Sequence, residues 1–319
     1  MSTFNKPLVA IQCLVYNHEP YLRDCLNGFV MQQTNFPFVA IVHDDASTDN
    51  SATIIREYAA KYPHVIKPIY EKENQWRKPD GSLLRIMNNA IDESGARYIA
   101  ICEGDDYWTD PFKLQKQVDI LETNPKLMAC VTNTCKVDNK GNLLEAKKEN
   151  VVQGNNEGVY NIYDFFKQPQ HQYPTATVVY RIRNIDEIRK KFRYTENAFL
   201  GDWTLWIILH SYGPFYYLDE VTAAYRINPT SLTHTVNRVA RAKASREICR
   251  KVADILPEEY SDIAAYLRKT NWVWISLIFA YRAEKRYLGA LGSFIMAAIF
   301  CPKALWKTIR DALHKRKTK

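Results

Sequence analysis

The chain has 319 residues, of which 46% are hydrophobic and 24% are charged. This composition is typical of a globular protein and excludes a disordered one, and the length is enough for one or two domains with a large core. Seven cysteines occur without a Cys-x-x-Cys pair or zinc-site spacing, which favours reduced thiols. Residues 1–7 carry no apolar signal-peptide segment, so a cytoplasmic location is expected.

The formal net charge of +8 is concentrated at one end of the chain. Residues 236–319 contain 18 Lys and Arg against 7 Asp and Glu, a charge of +11, whereas residues 1–235 contain 25 against 28, a charge of −3. This asymmetry predicts a catalytic domain at 1–235 and a basic, amphipathic helical region at 236–319 that meets an anionic partner.

Apolar runs alternate with helical periodicity through the first 120 residues. Alternation of this kind indicates a parallel sheet with helices on both faces. The predicted strands lie at 8–15, 38–42, 65–70 and 98–102, and the predicted helices at 21–33, after Asp49, at 83–93 and at 111–123.

The alternation loosens after residue 123, and from residue 236 only helices are predicted. The apolar run 287–301 is shorter than the ~20 residues that span a bilayer, and a basic amphipathic helix is expected at 303–319. Between these parts we expect strands at 128–137, 175–180, 215–218 and 223–226, a turn at 138–141, and helices at 163–166, 184–192 and 202–211.

An acidic stretch, Glu103-Gly104-Asp105-Asp106, directly follows the fourth predicted strand. Asp110-Pro111 predicts a helix N-cap with proline at the first helical position, which leaves the carboxylates in a short loop at the carboxyl end of the strand. Open α/β sheets bind their ligands there. Carboxylates this close are tolerated when water screens them or when a hard cation binds between them, so a solvated turn and a metal site are both open.

A second acidic pair, Asp44-Asp45, follows the second predicted strand. Parallel strands place both acidic groups at the same sheet edge, where one could bind a base or ribose and the other a metal that holds phosphates. The chain has no Gly-x-Gly-x-x-Gly and no Walker lysine motif. Phosphate is therefore expected to bind through a cation instead of a glycine loop.

Together, several segments resemble family 2 glycosyltransferases up to about residue 235. Gly201–Trp206 resembles the segment that holds the catalytic base of that family, and Tyr225-Arg226 with Ser231 resembles its closing motif. The other matching segments are Leu14-Val15-Tyr16-Asn17-His18-Glu19, Val42–Asp49, Asn88-Asn89, and Glu103–Trp108 with Pro111 and Leu114. The resemblance implies a glycosyltransferase-A fold, which is an α/β fold with a mostly parallel Rossmann-like sheet flanked by helices, followed here by a C-terminal helical segment.

The resemblance also implies an inverting transfer from a nucleotide-sugar donor, a UDP-sugar, assisted by Mn²⁺ or Mg²⁺. It places the catalytic base at Asp202 and the metal on Asp105 and Asp106. This agrees with the chemistry, because a diphosphate leaving group needs a Lewis acid and a sugar hydroxyl needs a positioned carboxylate. The residues expected to contact the donor are Val15, Tyr16, Glu19, Asp44, Asp45, Asn89, Glu103 and Asp105.

The chain departs from the family pattern at two positions. Purely structural roles also remain open for several of the candidate residues. Glu103 stands where the family usually has Asp, and Gly201 where it often has Glu. Without Gln-x-x-Arg-Trp or a set of spanning helices, a processive synthase is not expected. Asp202 could be a helix N-cap, Asp44 and Asp45 an Asx turn, and the aromatic pair at 107–108 a core contact.

Other functions use the same features. A metal-dependent phosphohydrolase or nucleotidyltransferase could employ the carboxylates, and a nucleic-acid-binding module could employ the basic region. Its charge is interleaved with long apolar runs, which fits an anionic membrane surface better than nucleic acid, although these helices could also pack on the catalytic domain. We therefore expect a saccharide or lipid-linked acceptor, peripheral binding at the inner face of the cell membrane, and no nucleic-acid partner.

Overall fold

The computed structural model describes residues 6–78, 80–144, 157–167, 173–195, 201–227, 237–269 and 271–300, and the positions 302, 305, 306 and 308–310. The chain divides into two compact units. The first comprises residues 1–187 and 212–228, and the second comprises residues 188–211 and 229–319. The second unit therefore contains the segment around residue 202 together with the basic C-terminal region.

The first unit is built on one sheet. Its strands are β1 (Val9–Val15), β2 (Phe38–Asp44), β3 (Ile66–Tyr70), β4 (Tyr98–Ile101), β5 (Tyr107–Trp108), β6 (Ala129–Val137), β7 (Gly158–Tyr160), β8 (Val178–Arg181) and β9 (Phe215–Arg226). The order is β3-β2-β1-β4-β8-β6-β9-β5, and β7 also pairs with β9. Strands β3, β2, β1 and β4 are parallel, as predicted, and β6 is parallel to β9. The strands β8, β5 and β7 run antiparallel to their neighbours.

Helices cover this sheet and complete its core. They are α1 (Leu22–Val30), α2 (Ser51–Lys61), α3 (Ser82–Ser94), α4 (Lys113–Thr123), α5 (Ile162–Lys167) and α6 (Ile185–Thr195), the last of which continues into the second unit. The main core contains alternate residues of β1 with apolar side chains of α1 and α4. Because side chains alternate along a strand and recur every three or four residues on a helix, the apolar pattern of the sequence suffices to build this layer.

Two local predictions were wrong, and two short strands were missed. Helix α4 begins at Lys113 and not at Pro111, because Asp110 Oδ1 accepts the N–H of Phe112 at 2.8 Å in an Asx turn before the helix. Strand β9 is continuous where two short strands were expected, since register shifts in its pairing with β6 keep it in the sheet. Strands β5 and β7 were not predicted, because two or three residues offer no periodic pattern.

The second unit is helical in its described residues. Its helices are α7 (Gly201–His210), α8 (Arg238–Ile255), α9 (Ser261–Lys269), α10 (Asn271–Ala283) and α11 (Tyr287–Phe300). A small core joins α8, α10 and α11. Within the described parts of the chain, no helix is both long and apolar enough to cross a membrane. Most of the predicted helix 303–319 lies outside the described residues.

Helix α11 has its small side chains inside and its large apolar side chains outside. The inward positions are Ala290, Ser293 and Ala297, which are at most 7% exposed. The outward positions include Leu288, which is 86% exposed, and Leu291, which is 57% exposed. This arrangement is the reverse of an ordinary amphipathic helix, whose larger apolar residues face the core.

Candidate functional site

Two acidic loops lie on either side of the carboxyl end of β1. On one side, the N–H of Gly104 donates to the carbonyl of Leu14 at 3.0 Å, and on the other, the N–H of Asp45 donates to the carbonyl of Val15 at 2.9 Å. Because only one strand separates them, the backbones of the two loops are about 10 Å apart. The predicted meeting of both acidic groups at one sheet edge is thus realised.

Glycine is required where the β4 loop crosses the loop that follows β1. A Cβ atom on Gly104 would lie 2.7 Å from Nδ1 of His18 and 3.0 Å from Cγ2 of Val15. The His18 Nδ1 atom is buried without a hydrogen-bond partner in the described structure. Burial lowers the pKa of His18, although the charges of Asp105 and Asp49 oppose this shift, so the imidazole is neutral at pH 7.

The adjacent carboxylates of β2 and its loop have different surroundings. Both oxygens of Asp45 accept backbone N–H groups, from Gln75 at 2.6 Å and from Trp76 at 3.0 Å, so Asp45 fixes the loop that precedes α3. Asp44 is 3% exposed, and its Oδ1 atom has no hydrogen-bond partner in the described structure. A buried carboxylate oxygen without a donor is costly. Asp44 is therefore the member of the pair that is prepared to accept a hydrogen bond from a ligand.

The acidic loop after β4 contains one deeply buried carboxylate and two more accessible ones. Asp106 is 4% exposed, and its Oδ1 atom accepts the backbone N–H of Arg226 at 2.8 Å. Burial raises the pKa of Asp106 well above its ordinary value, and the negative charges of Asp105 and Glu103 add to this rise. Asp105 is half-buried, and Glu103 accepts a hydrogen bond from the hydroxyl of Thr175.

Arg226, the last residue of β9, holds this loop in place. Its Nε atom donates to the carbonyl of Asp105 at 2.9 Å, one terminal nitrogen donates to the carbonyl of Asp138 at 3.1 Å, and the other to the carboxylate of Asp24 at 2.9 Å. The guanidinium also lies 5.4 Å from the ring centroid of Tyr107. Sequence reasoning noted Arg226 only as part of a closing motif and missed this positioning role, although an arginine ending an apolar strand was a signal for it.

Glu19 connects the loops that follow β1 and β2. Its carboxylate accepts the N–H of Asn50 at 3.0 Å and the Asn50 side-chain amide at 2.7 Å. In return, the N–H of Glu19 donates to Asp49 at 2.9 Å. The other Asp49 oxygen accepts the N–H of Ser51 at 2.9 Å, so Asp49 supports the start of α2 from the position before the N-cap. Glu19 therefore shapes the edge of the candidate donor site.

The remaining predicted donor contacts differ in exposure. Val15 is buried at the end of β1, whereas the next residue, Tyr16, is 37% exposed. Asn89 is exposed on α3. Trp108 is 2% exposed and donates its indole N–H to the carbonyl of Ala176 at 2.9 Å, which makes it a core residue.

Asp202 belongs to the second unit and lies in the first turn of α7. It is half-buried, and its Oδ1 atom accepts the N–H of Trp203 at 2.8 Å. Burial raises the pKa of Asp202 above its ordinary value, while the positive charge of Arg241 on α8 opposes the rise. A carboxylate with a raised pKa is a stronger base. Ser231 of the predicted closing motif lies outside the described residues.

The described residues contain no cluster of three His, Cys, Asp or Glu that could hold a metal ion unaided. The acidic loop of the first unit supplies the two neighbouring carboxylates Asp105 and Asp106. Any metal there needs further oxygen ligands, such as donor phosphates or water.

Residues 13–208, well over half of the chain, match the profile of glycosyl transferase family 2. The chain belongs to this family. It is a glycosyltransferase with the glycosyltransferase-A fold, and the predicted family and fold are confirmed.

Two relatives of this family 2 glycosyltransferase each match little more than a third of the chain. An uncharacterized protein of Mycobacterium bovis is 42% identical over 122 residues, which cover 38% of this chain and 34% of that protein. The putative teichuronic acid biosynthesis glycosyltransferase TuaG of Bacillus subtilis is 31% identical over 116 residues, 36% of this chain and 42% of TuaG. The matched region thus spans less than half the length of these relatives.

Solved structures resemble the glycosyltransferase over nearly its whole length. TarS of S. aureus in complex with UDP has a TM-score of 0.59 at 16% identity, covering 93% of this chain and 82% of TarS 1–349. The mannosyltransferase PcManGT from Pyrobaculum calidifontis, in complex with GDP-Man and Mn²⁺, has a TM-score of 0.53 at 16% identity, covering 97% and 85% of the respective chains. At these identities the likeness supports the fold alone.

Proposed function

We propose that this glycosyltransferase moves a sugar from a UDP-sugar to a saccharide or lipid-linked acceptor, with inversion at the anomeric carbon and with the help of a divalent metal. The observation that carries the proposal is the pair of acidic loops on either side of β1. One loop has a buried carboxylate oxygen without a partner on Asp44, and the other has Asp105 beside the buried Asp106. Family membership makes sugar transfer the reaction that this arrangement serves.

The donor nucleoside lies at the end of β1 in this proposal. Asp44 accepts a hydrogen bond from an N–H group of the base, which satisfies its buried Oδ1 atom. Tyr16, which is partly exposed, contacts the nucleoside, while Val15, Glu19 and Asp45 shape the site. TarS has been solved with UDP and with UDP-GlcNAc, which favours a uridine nucleotide over the guanosine nucleotide of PcManGT.

The carboxylates of the second loop fit a hard divalent cation. Asp105 and Asp106 would hold it, with Glu103 nearby. A positive ion between them offsets the mutual repulsion and the burial that raise the pKa of Asp106. Bound Mn²⁺ or Mg²⁺ supplies Lewis-acid stabilisation of the departing diphosphate. Arg226 positions the loop through the backbone of Asp105 and through its own N–H to Asp106.

Asp202 is the proposed general base. As the acceptor hydroxyl oxygen forms its bond to the anomeric carbon, the bond from that carbon to the diphosphate oxygen breaks and the hydroxyl proton passes to the Asp202 carboxylate. Attack opposite to the leaving group inverts the anomeric centre. Burial raises the pKa of Asp202, which makes its carboxylate a stronger base for this proton.

The proposed acceptor is a glycan precursor at the cytoplasmic face of the cell membrane. Polysaccharide synthesis is supported by the similarity to TuaG, and membrane association by the outward apolar face of α11. Arg282, Lys285 and Arg286, just before α11, are exposed and can meet anionic headgroups.

Analysis of the nucleotide product tests this function. The full chain is incubated with a panel of UDP-sugars and GDP-sugars, in Mn²⁺, in Mg²⁺ and in EDTA, with saccharide and lipid-linked acceptors. We expect release of UDP and a new glycoside in the presence of metal, and loss of both in EDTA. A phosphohydrolase or nucleotidyltransferase would cleave a P–O bond, so release of UMP without a glycoside contradicts the proposal.

A further inference from the structure

A cavity of about 560 Å³ lies within the second unit between α8, α10 and α11. This volume is in the range of sites that hold small organic ligands. Its walls combine an apolar, aromatic surface with two cationic side chains, and they include no acidic residue. The lining residues that matter for the argument are Lys243, Arg246, Trp274, Leu277, Gly292 and Ile295.

The two cations of the cavity are available to an anion. The guanidinium of Arg246 lies 4.5 Å from the ring centroid of Trp274, which orients it without neutralising its charge. On the same helix Lys251 pairs with Glu247, whereas Lys243 and Arg246 have no ion pair within the described part of the chain. Two positive charges beside an apolar concavity fit a ligand with a negative head and an apolar body.

Two glycines of helix α11, Gly289 and Gly292, line the cavity. A Cβ atom added to Gly292 would meet no heavy atom within 4 Å. Gly289, one turn earlier, differs, because a Cβ there would lie 2.9 Å from the ring of Tyr281. Ile295 lines the cavity and is 51% exposed, so the cavity is continuous with the outward apolar face of α11. A hydrocarbon chain can therefore pass from the cavity onto that face.

We propose that this cavity binds the phosphate headgroup of a membrane lipid. Lys243 and Arg246 contact the phosphate, and the first part of the lipid chain lies along Leu277 and Ile295 towards the outer face of α11. This inference rests on the membrane association proposed above. Free phosphate lacks the apolar part of this ligand, and a neutral amphiphile lacks its charge, so both should bind weakly.

Titration calorimetry with water-soluble probes tests the cavity without a membrane. The full chain is titrated with decyl phosphate below its micellar concentration, with inorganic phosphate and with decyl maltoside. We expect decyl phosphate to bind at least tenfold more tightly than either of the others. Equal affinity for inorganic phosphate would overturn the proposal in favour of a simple anion site, and so would the absence of binding.

Two variants localise the binding to the cavity. Gly292→Leu fills the space without a clash, and the double variant Lys243→Gln, Arg246→Gln removes the charges; each should weaken decyl phosphate binding at least tenfold. The matched controls are Ala298→Leu on the exposed part of α11 and Arg250→Gln on the exposed part of α8, which should stay within twofold. Unchanged affinity of Gly292→Leu for decyl phosphate would overturn the assignment. A thermal unfolding transition of Gly292→Leu is measured to confirm that this variant folds.

Vesicles identify the source of the phosphate and separate this inference from the proposed membrane association. Flotation is measured with phosphatidylcholine vesicles with and without 20% phosphatidylglycerol. We expect the wild type to prefer phosphatidylglycerol more strongly than Gly292→Leu, in which the exposed residues Arg282, Lys285 and Arg286 still meet anionic headgroups but the cavity does not. Decyl phosphate binding without any flotation would contradict the membrane proposal and with it the lipid assignment. If the wild type and Gly292→Leu float with the same preference for phosphatidylglycerol, the cavity proposal is overturned. The proposed membrane association is not affected by that result.

Discussion

The sheet of the first unit and helix α11 of the second unit use apolar residues in opposite ways. Strand β1 buries its apolar residues and ends in a polar edge, where the carboxylates of Glu19, Asp45 and Asp106 each accept a backbone N–H. Helix α11 buries alanine and serine and exposes leucine and isoleucine. The first arrangement fixes polar groups for chemistry, and the second leaves an apolar surface that needs a partner. The two acidic loops and the outward apolar face of α11 therefore belong to different units of the chain.

The largest effect is expected from Asp202→Asn. The amide keeps the size of the side chain but accepts no proton, so kcat should fall by about 10²- to 10⁴-fold while KM for the donor stays nearly constant. The measurement is steady-state UDP release with varied donor and acceptor.

Asp262→Asn is a matched control for Asp202→Asn. Asp262 lies in the first turn of α9, and its Oδ1 atom accepts the N–H of Ile263 at 2.8 Å, the same contact that Asp202 makes with Trp203. If both variants lose the same activity, Asp202 supports its helix and is not the base. A loss of donor affinity in Asp202→Asn would indicate that Asp202 binds the donor and does not act as the base.

The next largest effect is expected from Asp105→Asn, which removes one of the two proposed metal-holding carboxylates. Loss of leaving-group stabilisation should reduce transfer by about 10²- to 10³-fold, and the metal concentration for half-maximal activity should rise. Asp119→Asn, on the exposed face of α4, is the control and should behave like the wild type. Full activity of the wild type in EDTA would exclude the metal role.

A moderate effect is expected when the outer face of α11 is made polar. The double variant Leu288→Ser, Leu291→Ser should reduce flotation with anionic vesicles about tenfold, because two exposed leucines no longer enter the bilayer interface. The matched control Leu143→Ser, Leu144→Ser removes two exposed leucines of the first unit and should float normally. Equal losses of flotation in the two double variants would show that the exposed leucines of α11 contribute no more to vesicle binding than exposed leucines of the first unit.

The smallest effect concerns a buried charge in the first unit. Burial lowers the pKa of Lys113 from 10.5 to about 7, although its amine lies over the ring of Trp108 and donates to Gln117. Between these pKa values the unfolded chain binds more protons than the folded one. The free energy of unfolding therefore rises with pH, by up to about 1.4 kcal/mol per unit from this residue.

Lys113→Met should remove this part of the pH dependence. Urea unfolding at pH 7.5, 8.5 and 9.5 gives the slope for the wild type, for Lys113→Met and for the exposed control Lys126→Met. The wild type and the control should share one slope, and Lys113→Met should have a smaller one. A slope for Lys113→Met that matches the other two would contradict the lowered pKa of Lys113.

The elements that could be predicted from the sequence are those with a repeated pattern. Apolar runs located β1 to β4 and β6 to within two residues at each end. The apolar signal is most continuous in β1, β2, β4 and β6, because these strands are largely buried. The two-residue strand β5 and the exact start of α4 could not be predicted, because each depends on a single distant or local hydrogen bond. The register shifts that keep β9 continuous also require its partner strand.

The candidate site could be located from the sequence but its residues could not be ranked. Asp44 and Asp45 are adjacent and identical in chemistry, yet only Asp45 has both oxygens occupied, by a loop 30 residues away. Similarly, Asp202 and Asp262 make the same contact in the first turn of a helix, so local sequence cannot distinguish a base from a helix-supporting carboxylate. Such differences arise from contacts between segments that are distant along the chain.

The contacts of Arg226 have a consequence for the order in which the molecule matures during synthesis. Its N–H bonds Asp106 across 120 residues, and its guanidinium bonds Asp24 across 202 residues. Closing loops of this length is slow compared with forming local helices. In a nascent chain, β1 to β4 can pair early. The contacts between Arg226 and the acidic loop can form only after β9 has left the ribosome. The acidic loop is thus held in its final position only when the sheet is nearly complete.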